Sequence, residues 1–496
     1  MVDLPFDPDR DPGLDSDAIE PVTPRSSRLI TAIAIVLIVI TVLTGLAGVG
    51  LIRFQPTTEV VPSAPHDTAP VTAGMLAVVD PAGAIVTMDA TGGSPVRHEV
   101  QGVTFAFPAW SPDGTRFAAI GNGVGDAGIY VFSVSAASGG APVTTPTVIY
   151  RSADHQPFYL YWTPDGSALT FLTTEPGSVA LRRAPADASG PDTTIRLGTP
   201  MYWTWLNGGQ LIVHSGSTAD GFLGEIGLDG KATRSVVGTP GMFRAPAVAG
   251  DGRYLAYVGA RPDASGEVVV EARDASTRHA VAVFGPAAVG FDPTGNGLAF
   301  IGRAALDTRD ASLPVGPLRL LDAASGSVRT LLDGVVVAFF WAPDGRTIAA
   351  LRVISPGEDR IAAGHANAAG HANTGGHANT GGSTIAGIAQ AVARGAPAPA
   401  VDVVEAPSLG LRLVFIDIAS GAVRSQRTVH LTDTFVSQLL PFFDQYALSH
   451  RLWSPDSTSL VLPTIAVGGA GEILVVKADG SDPVRVANGS VAFWGP

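Results

Sequence analysis

A short aromatic-turn unit recurs along most of the chain and constrains its fold more than any other feature. In the best copies a tryptophan precedes Ser/Thr/Ala-Pro-Asp and then Gly or Ser, and an apolar stretch follows, as in PAWSPDGTRFAAIG (108–121). The copies begin at Trp110, Trp162, Trp205, Val248, Phe291, Trp341 and Trp453, at intervals of 52, 43, 43, 43, 50 and 112 residues. Such a period, built from short strands, is typical of β-propeller blades. The sequence therefore predicts an all-β propeller over residues 74–496.

Each unit contains the residue types that a blade requires. Proline presets the backbone for a turn, aspartate bonds the local backbone, and glycine accepts a positive φ. The aromatic side chain can wedge between neighbouring sheets. Stretches such as RFAAIG and SLVLPT predict a second strand, stretches such as GIYVFSV and LRLVFIDI a third, and a hairpin then leads to a fourth. We expect four antiparallel strands per blade.

The two ends of the repeat region supply complementary fragments. The region begins with MLAVVDPAGAIVTMDATGGSPVRHE (75–99), which offers three strands but no first one, and it ends with SVAFWGP (490–496), which offers only a first one. Trp494 follows Trp453 by 41 residues, in phase with the series. Pairing of the two fragments would close the ring and leave no exposed sheet edge. Seven full units and one composite unit predict eight blades, or seven if the weak Trp205 or Val248 unit is not a blade.

These units resemble the TolB-type propeller repeat, a relative of the WD-repeat propellers. The resemblance covers residues 74–496, with its best copies at Trp110, Trp162, Trp341 and Trp453. It implies an extracytoplasmic bacterial protein that binds other proteins. TolB itself has six blades and a preceding α/β domain, and neither is predicted here. A role in the Tol system therefore does not carry over.

An apolar segment before the repeats predicts a membrane anchor. Residues 29–52 are uncharged and mostly apolar, and as a helix they would extend roughly 36 Å, enough to cross a hydrocarbon core of about 30 Å. Arg28 precedes the segment and Arg53 follows it, and further arginines lie upstream, so the N-terminus is predicted in the cytoplasm. A cleaved signal peptide and a buried helix are the alternatives, but the long acidic leader does not suit a signal peptide. We expect a single-pass protein of the bacterial cytoplasmic membrane with an extracytoplasmic propeller.

Four further segments flank or interrupt the propeller. Residues 1–28 are predicted to form a disordered acidic cytoplasmic tail, and residues 53–73 a linker rich in proline and threonine. A low-complexity insertion covers about residues 358–408, and a helical insertion about residues 432–449. Both insertions fall in the 112-residue interval between Trp341 and Trp453 and explain its length.

Composition and motifs argue against several functions. The formal net charge of −13 and the lack of a basic patch argue against a nucleic-acid partner, and without cysteine there is no disulfide, thiolate metal site or cysteine nucleophile. No Gly-x-Ser-x-Gly, His-Glu-x-x-His, phosphate-binding loop or dinucleotide fingerprint occurs. We predict no catalytic residue, no cofactor and no metal. Six isolated histidines are interpreted as packed or solvated: His98, His155, His214, His279, His430 and His450.

The low-complexity insertion holds three copies of a hexapeptide with His365, His371 and His377. Imidazoles in a flexible tract can bind a transition metal. Glycine, alanine and asparagine around them offer no preorganised geometry and no supporting residues. A disordered loop produced by repeat slippage is the preferred interpretation, and a metal site is the alternative.

The helical insertion carries apolar side chains at helical spacing, interrupted by Pro441. They are Phe435, Leu439, Phe442, Phe443 and Tyr446. Since a propeller blade requires no helix here, the segment either packs on the face of the ring or offers an apolar docking surface to a partner. We take these five residues as the candidate docking site.

Three functions remain open. The leading hypothesis is a membrane-anchored propeller that binds or scaffolds proteins, since a rigid ring with variable loops suits recognition. The second is an enzyme or small-ligand binder that uses the central channel. The third is a sensor within a membrane complex, which would need another protein because its cytoplasmic tail is short.

Overall fold

The computed structural model describes residues 74–134, 145–216, 221–237, 240–241, 243–261, 266–304, 313–354, 410–466 and 468–496. The predicted tail, membrane segment and linker lie outside these ranges, as do His365, His371 and His377. No helix within the described part of the chain is both long and apolar enough to span a bilayer.

The described chain is almost entirely β-strand, and the prediction of an all-β protein is confirmed. Its strands form successive antiparallel sheets. The first sheet joins the C-terminal strand to the beginning of the described region, in the order β29-β1-β2-β3. Its strands are β1 (Met75–Val79), β2 (Ile85–Asp89), β3 (Val96–His98) and β29 (Val491–Trp494).

Three four-stranded sheets follow, each with its strands in sequence order. The first contains β4 (Thr104–Trp110), β5 (Arg116–Asn122), β6 (Ala127–Ser133) and β7 (Thr147–Ser152). The second contains β8 (Pro157–Trp162), β9 (Ala168–Glu175), β10 (Ser178–Pro185) and β11 (Thr193–Leu197). The third contains β12 (Met201–Trp205), β13 (Leu211–Ser215), β14 (Phe222–Ile226) and β15 (Ala232–Val237).

The next ten strands are connected into one run because two strands are unusually long. The first half of β19 pairs with β18 and its second half with β20, and β22 bridges β21 and β23 in the same way. The run therefore divides into three units of four strands. Its members are β16 (Ala247–Val248), β17 (Tyr254–Ala260), β18 (Gly266–Ala272), β19 (Arg278–Phe291), β20 (Gly297–Arg303), β21 (Gly316–Asp322), β22 (Val328–Trp341), β23 (Thr347–Val353), β24 (Leu411–Asp417) and β25 (Val423–Val429).

The last sheet contains β26 (Ser459–Ile465), β27 (Gly471–Lys477) and β28 (Val484–Asn488). A short extended stretch stands before β26 in the place of a first strand. There Trp453 pairs with Leu460 of β26, and Arg451 pairs with Trp494 of β29. The last sheet is thereby connected to the sheet that joins the chain ends.

Burial decreases from the first strands of the sheets to the fourth. β12 is buried at every position, whereas four of the seven residues of β25 are exposed. A strand that is buried on both faces has a continuous run of apolar residues, whereas a strand with one solvent-exposed face alternates apolar and polar residues. The core therefore lies along the first and second strands.

Tryptophan side chains link consecutive sheets. The indole Nε1 of Trp162 donates to the carbonyl of Ala109 at 2.9 Å, and Ala109 directly precedes Trp110, the equivalent aromatic residue of the sheet before. The same relation recurs three times, from Trp110 to Phe493 (3.2 Å), from Trp341 to Gly290 (3.0 Å) and from Trp453 to Phe340 (2.9 Å). The aromatic wedge predicted from the sequence is thus also a hydrogen-bond donor.

The last strand of the chain pairs directly with the first strand of the described region. β29 lies antiparallel to β1, with Leu76 opposite Trp494 and Val79 opposite Val491. The Trp110 indole adds a bond from the next sheet to the carbonyl of Phe493. The first sheet therefore takes its first strand from the end of the chain and its other three from the beginning of the described region.

Candidate functional site

Among the described residues, a non-repeated helical segment at 432–450 lies between two sheets, and we call it the hub segment. It forms a π-helical turn at Phe435–Leu439, a 3-10 turn at Leu440–Phe442 and the α-helix α1 at Phe443–Ser449. At the start of the segment Thr432 Oγ1 accepts from the N–H of Phe435 at 3.4 Å, and no side chain caps the 3-10 turn or α1. Since isolated helices of this length are unstable in water, the segment depends on its surroundings for its conformation.

The surroundings of the hub segment are the first strands of many sheets. Helix α1 contacts β8, β12, the second half of β19 and the second half of β22. The ring of Tyr446 lies 5.1 Å from that of Phe107 in β4, and the ring of His450 lies 4.7 Å from that of Phe493 in β29. The backbone N–H of Ala245, just before β16, donates to Asp444. The first strands therefore converge on the hub segment.

The structure buries most of the five candidate docking residues. Phe435, Leu439, Phe443 and Tyr446 are between 0% and 7% exposed, and only Phe442 is partly accessible. Phe443 packs edge-on against Phe339 and Phe340, with ring centroids 5.4 and 5.9 Å away. These apolar side chains are turned towards the first strands, so they form core contacts and do not present the apolar docking surface proposed from the sequence.

Gln445 joins the hub segment to the backbone of β12. The side chain is 1% exposed. Its Nε2 donates to the carbonyl of Trp203 at 3.1 Å, and its Oε1 accepts from the N–H of Trp203 at 3.3 Å. Nε2 also donates to the hydroxyl of Tyr159 at 2.9 Å. The amide thus pairs with Trp203 as the peptide group of a neighbouring strand would, which satisfies buried groups that would otherwise destabilise the site.

A chain of hydrogen bonds continues from Gln445 to His450. The hydroxyl of Tyr159 lies 2.7 Å from Ser449 Oγ, and Ser449 Oγ lies 2.7 Å from His450 Nδ1. His450 Nε2 lies 3.2 Å from the carbonyl of Phe107. Because that carbonyl can only accept, Nε2 carries a proton and Nδ1 accepts from Ser449. Burial lowers the pKa of His450 to about 4, so the imidazole is neutral at pH 7.

Asp444 and His214 hold the same peptide group from two sides. His214 Nδ1 lies 2.9 Å from the carbonyl of Arg244, and Asp444 Oδ2 accepts from the N–H of Ala245 at 3.3 Å. The guanidinium of Arg244 also donates to the carbonyl of Pro441 at 3.3 Å. Burial raises the pKa of Asp444, and the nearby Arg244 opposes that rise. Burial lowers the pKa of His214 to about 4.

The sheets have two distinct ends. Because the strands are antiparallel, the turn after each first strand lies at the end opposite to the loop between the second and third strands. A side chain at Gly74 would meet the ring of Pro455 at 2.9 Å, and one at Gly114 would meet the ring of Pro496 at 3.1 Å. Both termini of the described region thus lie against these turns, at what we call the turn face. The hub segment leaves β25 and enters the last sheet from the opposite side, the hub face.

The isolated histidines do not converge on a common site. His98 bonds Thr87 within the first sheet, and His155 lies 2.9 Å from Glu175 within the sheet of β8. His279 Nε2 lies 3.1 Å from the carbonyl of Ala324. Among the described residues no group of three or more His, Cys, Asp or Glu side chains could hold a metal ion.

The sequence analysis identified the hub segment by its aromatic spacing but missed its polar residues. Asp444, Gln445 and His450 stand between the apolar positions and are all buried. A carboxylate and an amide within one short apolar helix, with a histidine directly after it, indicate buried hydrogen bonding, and that was the available signal.

No family model matches the chain, and no curated protein matches it. Similar solved structures include TolB from Acinetobacter baumannii, at 16% identity and a TM-score of 0.33, covering 52% of this chain and 66% of that one, just under two thirds. They include a eukaryotic initiation factor at 10% identity and a TM-score of 0.48, covering 85% of this chain and 98% of that one. The dihydro-heme d1 dehydrogenase NirN matches at 12% identity and a TM-score of 0.47, covering 87% and 77%. At these scores the likenesses carry no argument about function.

Proposed function

We propose that this chain is an eight-bladed β-propeller, held outside the cytoplasmic membrane by residues 29–52, and that it acts as a non-enzymatic module for binding or scaffolding proteins. The pairing of β29 with β1 and the recurrent indole bonds between consecutive sheets support a closed ring. The three units within the ten-stranded run and the composite sheet support a count of eight over seven.

One observation carries the choice of function: the hub segment occupies the region where the first strands converge. In a propeller that region is the central channel, which the ligand-binding or enzymatic alternative requires to be accessible. Phe443, Gln445 and Tyr446 pack against the strand walls there, at 1%, 1% and 7% exposure. Recognition by the outer loops of the ring does not need an open channel and is the better supported alternative.

The two faces suggest how the module is oriented. The described region begins at Gly74 on the turn face, so a linker at residues 53–73 would place that face towards the membrane. The hub face and its loops would then point away from the membrane. Val124, in the loop between β5 and β6, is 99% exposed there. We propose that partners contact the hub face.

The membrane topology can be tested with single cysteines, because the chain contains none. Ser16→Cys lies in the predicted tail and Val124→Cys on the hub face. A membrane-impermeant maleimide added to intact spheroplasts is expected to label Val124→Cys only, and to label Ser16→Cys after lysis. Labelling of Ser16→Cys in intact spheroplasts, or recovery of both variants in the soluble fraction, would contradict the proposal.

The binding role can be tested by face-selective photo-crosslinking in membranes. A photoreactive residue at Val124 probes the hub face, and one at Asp274, in the turn between β18 and β19, probes the turn face. We expect discrete crosslinked products from the probe at Val124, and excess unmodified protein should reduce them. The probe at Asp274 should give few such products. A small molecule that co-purifies stoichiometrically, together with no competed product from either position, would favour the channel alternative.

A further inference from the structure

We propose that the hub segment is an acid-sensitive closure of the propeller axis, released from the first strands when His450 takes up a proton. The inference concerns a conformational change within the fold, and only its consequence for partner binding rests on the proposed function.

The environment of His450 favours the neutral imidazole. The side chain is 3% exposed, and the rings of Tyr446, Phe107 and Phe493 surround it at 5.1, 6.3 and 4.7 Å. Both ring nitrogens already have partners, Ser449 and the carbonyl of Phe107. An imidazolium in this place would be a buried charge without a counter-ion, which is strongly unfavourable.

The titratable and charged groups around His450 do not compensate an added charge. Helix α1 contributes the Tyr446 hydroxyl, and β8 contributes that of Tyr159. The strand residues from β4 and β29 are phenylalanines. The next residue in the chain, Arg451, is itself a cation. In the part of the chain that the structure describes, no carboxylate contacts the ring.

The hub segment can open without unfolding the sheets. Its helical pieces are seven residues long or shorter, and neither the 3-10 turn nor α1 has a capping side chain. It is joined to the sheets by side-chain contacts and a few hydrogen bonds, whereas each sheet is held by its own strand ladders. We therefore expect the segment to open before the sheets do, because opening does not break their strand ladders.

The sign of the pH dependence follows from the two states of His450. Closed, its pKa is about 4; released into water, it returns to about 6.5. The open state therefore binds more protons between these values, and the opening constant rises up to tenfold per pH unit below about 6.5. From pH 7 to pH 4.5 the expected rise in the opening constant is about 60-fold.

Protonation of Asp444, in the same segment, has the opposite effect on opening. Burial raises its pKa above 3.8, so the closed state binds a proton more readily than the open state does. Acid therefore favours closure through Asp444 and opening through His450. The Asp444→Asn variant removes the opposing contribution and is expected to make the pH response of opening steeper.

Hydrogen exchange of the full chain in membranes or nanodiscs tests the inference. After correction for the intrinsic exchange rate, peptides covering residues 435–450 should lose about 60-fold in protection between pH 7 and pH 4.5. Peptides from β26 should keep theirs. Unchanged protection of the hub peptides, or an equal loss in β26, overturns the inference.

Two matched variants test whether His450 causes the loss of protection in acid. His450→Gln can still donate to Phe107 and accept from Ser449 but does not titrate. Its hub protection should therefore not fall between pH 7 and pH 4.5, and should rise if anything through Asp444. His98→Gln removes another buried histidine, 4% exposed and located in β3, and should respond like the wild type. A wild-type response in His450→Gln overturns the inference even if the variant is less stable.

Release of the hub segment would expose Phe107, Tyr159 and Trp203 to a partner. On the proposed function, crosslinking from Val124 should then depend on pH over the same range. Hub opening without any change in crosslinking would leave the closure established and contradict only this coupling to partner binding.

Discussion

The repeated turns and the hub segment hold the same molecule together in opposite ways. Each turn is stabilised locally: Asp165 accepts from the N–H of Ser167 at 3.0 Å and from the hydroxyl of Thr163 at 2.6 Å. The buried side chains of the hub segment contact residues far away in the sequence, in the first strands of many sheets. A change in one turn should therefore affect one pair of sheets, whereas a change in the hub segment should affect several at once.

The largest expected effect separates two neighbouring phenylalanines of the hub segment. Phe443 is 1% exposed and packs between Phe339 and Phe340, whereas Phe442 is partly accessible. Phe443→Ala should lower the free energy of unfolding by about 3–5 kcal/mol, because it leaves a cavity against two strand residues. Urea denaturation followed by tryptophan fluorescence measures the change.

Phe442→Ala is the matched control and should cost less than half as much. Equal losses from the two substitutions would mean that the apolar faces of the hub segment are packed alike. The hub segment would then have no accessible side that differs from its buried side in packing.

The next prediction concerns the amide that pairs with β12. Gln445→Met preserves volume but leaves the N–H and carbonyl of Trp203 without their side-chain partners. The free energy of unfolding should fall by about 2–3 kcal/mol, because two buried backbone groups lose their hydrogen-bond partner. Gln438→Met, at a half-buried position of the same segment, should change the free energy of unfolding little. A small effect at Gln445 would show that water replaces the amide.

The difference between the two regions also explains which parts of the structure could be predicted from the sequence. The turns recur, so Trp110, Trp162 and Trp453 could be aligned with one another, and their spacing predicted the sheets. The hub segment occurs once. Its aromatic spacing predicted helix, but which strands it would meet depends on contacts between residues such as Tyr159 and Gln445, 286 positions apart. No periodicity encodes a contact of that kind.

The side of the hub segment that faces the sheets was also not readable from its sequence. Phe435, Leu439, Phe443 and Tyr446 predict an apolar face equally for packing inwards or for docking a partner. Only the position of the first strands decides between the two. The buried Gln445 was the better signal, because a docking surface does not require a fully bonded amide within it.

A smaller effect is expected for the tryptophan links between sheets. Trp162→Phe keeps most of the apolar contact but removes the indole bond to the carbonyl of Ala109. The free energy of unfolding should fall by about 1–2 kcal/mol, for a lost buried bond and a carbonyl left without its donor. Thermal and urea unfolding both report it.

Trp205 provides the matched control, because its buried indole nitrogen has no hydrogen-bond partner. Trp205→Phe removes that unsatisfied donor, so it should cost clearly less than Trp162→Phe. If the two substitutions lower the free energy of unfolding equally, the apolar packing of the tryptophan and not its indole hydrogen bond connects the sheets.

The smallest effect is expected in a turn. Asp165→Ala removes the acceptor for Ser167 and Thr163, and because the carboxylate is exposed the cost should be about 0.5–1 kcal/mol. Asp165→Asn, which keeps an acceptor, should cost less. A loss as large as that of Phe443→Ala would show that a single turn supports more than its own pair of sheets.

The pH dependence of that turn contrasts most sharply with the hub segment. Hydrogen bonds from Thr163 and Ser167 lower the pKa of Asp165 from 3.8 to about 2. The stabilisation by the ionised carboxylate is thus complete above pH 3.8 and is lost only as the pH falls towards 2. The stability difference between wild type and Asp165→Ala should therefore be equal at pH 7 and pH 5, over a range in which His450 already weakens the hub segment. A difference that shrinks between those two pH values would mean that the turns and the hub segment respond to acid together.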